Sequence, residues 1–166
     1  MPLENPDRIR CEAARGYLAL GMYDSANEEL ENTDAFNRAA PEVLALRVEL
    51  YWKLGKWELM REIAKRLNEF EPNEVQWVVS YAFATRRAVS IEVAKEILLK
   101  SVSKFPREAT ILFNLACYDC QLGRLDSAKA YLRRAFEIDP QWRIQALEDE
   151  DLKPLWDCLE GLHKGH

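Results

Sequence analysis

The sequence predicts an all-α fold, a solenoid of about four helix pairs closed by a C-terminal capping helix. Two observations predict it. The first is a set of residue columns spaced 34 positions apart: Pro72, Pro106 and Pro140; Gly21, Gly55 and Gly123, with Val89 in the remaining slot; and Ala26, Met60, Ala94 and Ala128. A fixed period of this size marks stacked supersecondary units rather than one undivided core. The second is the pattern inside each period, where apolar residues recur at spacings of three and four on either side of a short turn.

The elements follow in order. Residues 7–20 and 23–33 read as the first helix pair, 41–54 and 57–70 as the second, and 75–88 and 91–104 as the third. In the fourth, residues 110–122 form the first helix, and a second starts near Leu125 with Ala128, Leu132 and Ala135 on one apolar face. Glycine at 21, 55 and 123 ends the preceding helix, because it accepts the left-handed backbone a helix C-terminus needs. The third pair turns through Ala88-Val89-Ser90, with Ser90 as N-cap. The small residue at Ala128 fits a close crossing of two helices joined by so short a turn. The first pair departs from the pattern over residues 32–40. Beyond Pro140, residues 141–147 read as a short helix, and Glu148 to Asp151 precede a helix through Leu152, Leu155, Leu159 and Leu162, with Pro154 in its first turn.

Composition narrows the function classes. Hydrophobic residues make up 48% and charged residues 31%, as in ordinary globular chains, and Gly 6 and Pro 7 are few for a strand-and-turn architecture. A net charge of -5 supplies no general attraction to nucleic acid, and none is expected as a partner. The first ten residues hold no apolar leader and no stretch reaches the roughly 18 apolar residues of a membrane span, so a cytoplasmic location is expected.

The columns resemble the tetratricopeptide repeat, a 34-residue helix–turn–helix unit with the pattern W-x2-L-G-x2-Y, then A-x3-F, then P. The fullest match lies in residues 109–140, with Leu115-Ala116 at the Leu-Gly pair, then Ala128, Leu132 and Pro140. Tyr51, Gly55, Trp57 and Pro72 carry the resemblance in the second unit, with Met60 replacing the alanine. Ala82, Ala94, Leu98 and Pro106 carry it in the third, and Ala14, Tyr17, Gly21, Tyr23, Ala26 and Leu30 in the first. Two residues depart from the pattern. Arg47 stands where the family buries a leucine, which calls for a locally rotated repeat or a side chain that snorkels outward, and Asp119 stands where tyrosine is frequent. The resemblance implies a right-handed α-solenoid in one domain over residues 1–166, with repeats at about 7–40, 41–74, 75–108 and 109–142 and a cap at about 143–162.

It also implies a function. In this family the first helices of successive repeats line a concave groove that holds a protein or peptide. Carried onto this chain, the groove positions include Arg8, Arg15, Glu49, Trp52, Phe83, Arg86, Arg87 and Phe113. Aromatic anchors among arginines suit a segment with apolar side chains and an acidic residue or two. The lysine–asparagine clamp of chaperone-binding members is absent, since Cys11, Arg15, Leu46, Gln76 and Ser80 occupy its positions. The expected role is therefore an adaptor or scaffold without enzymatic activity. A second reading takes Lys100, Lys104, Arg107, Arg133 and Arg134 as a basic edge that contacts a filament or a membrane surface. In kind and size class the chain is similar to the bacterial kinesin light chain, which accompanies bacterial tubulins.

Candidate chemistry is sparse. Cys117-x-x-Cys120 is the one metal-like or redox-like spacing, but it lies within a helix and has no second ligand pair, so ordinary helix cysteines and no metal or other cofactor are expected. Both histidines, His163 and His166, fall at the C-terminal end, so no Ser/His/Asp set can be assembled. No Gly-rich phosphate loop is present.

Overall fold

The structure is a computed structural model and describes residues 2–163, with side chains through Glu160. Among the described residues it contains helices and no strand. It divides into two compact units, Met1–Ala88 and Val89–His166. The first unit holds α1 (Asn5–Ala19), α2 (Tyr23–Glu31), α3 (Pro41–Leu54), α4 (Trp57–Phe70) and α5 (Val75–Ala88). The second holds α6 (Ile91–Val102), α7 (Ala109–Gln121), α8 (Leu125–Ile138), α9 (Trp142–Glu148), a 3-10 segment (Glu150–Leu155) and α10 (Trp156–His163).

The turns inside the helix pairs follow from glycine. Gly21, Gly55 and Gly123 adopt φ of 72°, 66° and 76°, a region costly for any residue with a Cβ. Each turn closes with the same two bonds. The residue after the glycine donates to the carbonyl five positions back (Met22 to Tyr17, 2.8 Å; Lys56 to Tyr51, 2.9 Å; Arg124 to Asp119, 2.8 Å). The glycine N–H donates three positions back, to Leu18, Trp52 and Cys120. This is the Schellman geometry, which satisfies carbonyls that a helix end leaves unpaired. Val89, without such a glycine, keeps a negative φ. There Ser90 supplies the cap, its hydroxyl accepting from Val93 N at 3.2 Å.

Small residues let the paired helices approach. Ala14 and Ala26 are fully buried in the core shared by α1, α2 and α3, and Ala116 and Ala128 are fully buried in α7 and α8. Four residues past the small column, Leu30, Ala64, Leu98 and Leu132 are buried in turn. The second pair reverses the sizes, with buried Met60 in the small column and Ala64 in the next.

The departures from the repeat pattern are polar clasps. Arg47 is buried rather than extended into solvent. Its guanidinium reaches Glu31 Oε1 at 2.9 Å and Tyr51 Oη at 3.3 Å, tying α3 to the end of α2. Residues 32–40 are held from both sides. Asp7 is buried in α1 and accepts from Asp34 N at 3.2 Å and Asn37 Nδ2 at 2.6 Å. Arg38 donates to the Glu31 and Thr33 carbonyls at 2.9 and 3.3 Å, covering the exposed carbonyl end of α2. In the second unit, Asp119 is fully buried in α7, and its two oxygens accept from Lys95 Nζ of α6 and Ser127 Oγ of α8.

The C-terminal segment lies on α7. Ala146, Leu152, Leu155 and Leu159 are buried, Gln121 Nε2 donates to Asp151 O at 2.8 Å, and Trp156 Nε1 donates to Ala146 O at 3.0 Å. Where the sequence suggested one helix from about residue 152, residues 150–155 form a 3-10 segment and α10 starts at Trp156. Pro154 lacks the N–H of an α-helical bond, and the Asp149 carboxylate accepts from Asp151 N at 3.0 Å, which favours the tighter start. The Leu162 side chain and His166 lie outside the described residues.

The Asp119 clasp yields a test. Asp119→Ala leaves the Lys95 ammonium, 13% exposed, without its carboxylate. The loss of stability should be about 3–5 kcal/mol in urea denaturation, and replacing both residues by apolar ones should recover most of it. A loss below about 1 kcal/mol, the range of an exposed pair, would contradict a buried clasp.

Candidate functional site

The first unit carries a cleft of about 650 Å3 between α3 and α5, with Arg15 of α1 at its border. On α3, Glu42, Ala45, Glu49 and Trp52 line it at spacings of three, four and three, which place them on one helix face. On α5 the corresponding stripe is Gln76, Val79, Ser80 and Phe83, and Leu46, Val48, Met60 and Trp77 complete the lining. Trp52 is 46% exposed, a large indole presented to solvent rather than packed away. An exposed aromatic in an apolar concavity is a common element of peptide and protein recognition sites.

The walls are held in place by contacts between α4 and α5. Trp77 is buried, and its indole N–H donates to Glu71 Oε2 at 2.6 Å. The Phe83 ring meets Trp57 edge to face, with centroids 5.8 Å apart and planes at 74°. Arg87 lies 5.4 Å from the Trp57 ring and 5.6 Å from the Phe83 ring. Arg61 donates to Thr85 Oγ1 at 3.2 Å and stands 5.7 Å over Tyr81. Lys53 sits 4.6 Å over the Trp52 ring.

The structure gathers four of the residues carried over from the sequence, Arg15, Glu49, Trp52 and Phe83, around this one cleft. Arg8 lies elsewhere on α1, exposed, and donates to Asn5 Oδ1 at 2.9 Å. Arg87 is engaged with the Trp57 and Phe83 rings outside the cleft lining, and Arg86 lies on α5 outside it too. Phe113 is a correction. It is 4% exposed, with its ring 4.6 Å from that of Trp142 in α9, so it is part of the core and offers no surface to a partner. Met60 and Trp77 were missed. Met60 is visible in the sequence as the one large residue of a small column, whereas Trp77 depends on Glu71 accepting its N–H.

The cysteines group differently from their spacing. Cys117 Sγ lies 3.9 Å from Asp149 Oδ2, and these atoms and an Asp151 oxygen fall within 4.8 Å of one another. Asp149 serves there as the cap of the 3-10 segment. Burial pushes the Cys120 thiol above its ordinary value, with Asp151 adding to the shift. Burial raises Cys11 as well, Glu42 and Asp7 adding to the shift and Arg15 opposing it. Arg133 and Arg134 of the basic edge are exposed on α8. No helix among the described residues is long and apolar enough to cross a membrane.

Comparison with known proteins bears on the fold. The tetratricopeptide repeat family model matches residues 109–142, the unit with the fullest column pattern. No curated protein matches the sequence. Among solved structures, the chain is similar to MamA of MSR-1, with TM-score 0.69 and 18% identity over 81% of this chain and 78% of that one. It is also similar to TTC0263, a thermophilic tetratricopeptide-repeat protein of Thermus thermophilus, with TM-score 0.68 and 22% identity over 92% and 82% of the two chains. A MamA of AMB-1 aligns with TM-score 0.65 and 19% identity over 96% and 93%. At these identities the likeness concerns the fold, an α-solenoid with C-terminal helices.

Thiol chemistry tests the burial pattern. Cys158 is exposed, while Cys11, Cys117 and Cys120 are buried. A raised pKa keeps Cys11 and Cys120 as neutral thiols at pH 8, and burial denies all three to reagent. An aromatic disulfide reagent should label Cys158 at once and the others at least about a hundredfold more slowly, through opening of the fold. Rapid labelling of Cys117 or Cys120 would show that the C-terminal segment does not cover α7.

Proposed function

We propose that this tetratricopeptide-repeat protein is a non-enzymatic adaptor that binds a segment of a partner protein in the cleft between α3 and α5. The repeat fold supports protein interaction as the general role. The observation that carries the specific reading is the exposed Trp52 indole in a concavity whose apolar lining includes Ala45, Val79 and Phe83. These residues stand at the positions by which the family resemblance marks a groove. A cleft of about 650 Å3 is large enough for the side chains of a short segment and too open to select a small metabolite by enclosure. Tryptophan in the lining of such a site supplies large apolar area with few rotamers to freeze.

The test is affinity capture with the wild-type chain and with Trp52→Ala, each checked by circular dichroism for an unchanged fold. Loss of an aromatic anchor costs about 2 kcal/mol or more, so capture of the specific partner should fall about thirtyfold. A partner captured equally by both proteins would place binding on another surface and overturn the cleft reading.

A further inference from the structure

We infer that the segment taken by the cleft presents a lysine or arginine beside its apolar side chain. This rests on the cleft reading above and adds the partner's charge, which is opposite to the acidic segment expected from the sequence. Of the arginines behind that expectation, only Arg15 lines the cleft. Arg8 bonds to Asn5, Arg87 is engaged with the Trp57 and Phe83 rings, and neither lines the cleft. Lys53, the cation nearest the exposed indole, is drawn onto the Trp52 ring. Arg15 is the one cation lining the cleft among the described residues.

Two carboxylates also line the cleft. Glu42 and Glu49 lie on the cleft side of α3, seven residues apart, and a rise of 1.5 Å per residue sets them about 10 Å apart along the helix. Both are exposed, and neither has an ion-pair partner among the described residues. Their spacing brackets Ala45 and Leu46, the apolar part of the same wall. A bound segment that fills the apolar wall draws both carboxylates out of water. Without a counter-charge that desolvation opposes binding, and an acidic segment adds repulsion. An ammonium or guanidinium a few residues from the apolar anchor offsets both effects, and Gln76 and Ser80 on the facing wall add neutral hydrogen-bonding groups.

Short fluorescein-labelled synthetic peptides sharing a central Leu-x-x-Trp core, flanked by lysine, by serine or by glutamate, test this by fluorescence anisotropy at low and high salt. The lysine peptides should bind about tenfold more tightly than the serine peptides at low salt, and salt should narrow the gap. Glu42→Lys with Glu49→Lys should reverse the order, while Glu49→Gln should reduce it. Equal binding of all three sets, still lost in Trp52→Ala, would keep the cleft reading and overturn the charge inference. Preference for glutamate would overturn it in favour of Arg15 as the dominant charge. Absence of any Trp52-dependent binding would remove the cleft reading, and the charge inference with it.

Discussion

The close approach of two helices across a turn of two or three residues is the constraint on which the rest of the structure depends. A glycine turn with left-handed φ brings the second helix back against the first, and little room is left at the crossing. Ala14 and Ala26 in α1 and α2, and Ala116 and Ala128 in α7 and α8, meet that limit with no exposed surface. Once the crossing is fixed, the remaining faces are fixed too. One stripe of each first helix is committed to the core, and the stripe of α3 carrying Glu42, Ala45, Glu49 and Trp52 turns toward the cleft.

The second pair breaks the size rule, and it is the pair beside the cleft. Met60 brings a long, flexible side chain to the crossing and lines the cleft floor, while Ala64 gives up the volume that leucine fills in the other pairs. Bulk is moved along α4 by one turn. A thioether at the floor of a binding cleft adapts to ligand shape more readily than a branched side chain does. The polar clasps follow a related logic. Arg47, Asp7 and Asp119 each occupy a buried position, and each is matched by a partner on a neighbouring helix or loop, so the cost of burial is offset and the register of the elements is specified.

Helix bounds and turns were legible in the sequence because they rest on local signals. Gly21, Gly55 and Gly123 need only their own backbone preference, and Ser90 needs only the N–H three residues on. The cleft was half legible. Spacing alone places Glu49, Trp52 and Phe83 on the right faces, but spacing does not say what covers a face. Phe113 sits at an equivalent groove position and is buried because α9 brings Trp142 onto it, a long-range event set by the C-terminal segment. Nor does spacing say which groove arginines reach the cleft. Arg87 occupies a suitable stretch of helix, yet the Trp57 and Phe83 rings engage its guanidinium. Arg47 and Asp119 looked anomalous until Glu31, Lys95 and Ser127 supplied their partners from other helices.

The crossing constraint is tested most directly by enlarging it. Thermal and urea unfolding of Ala26→Leu and Ala128→Leu, compared with Ala130→Leu on the exposed side of α8, separates close packing from simple helix content. The account predicts losses of about 1–3 kcal/mol or more at the two buried alanines and a change within about 0.5 kcal/mol at Ala130. Equal stability of all three variants would show that the helices do not need to meet so closely, and the small-residue columns would then lose their role in setting the fold.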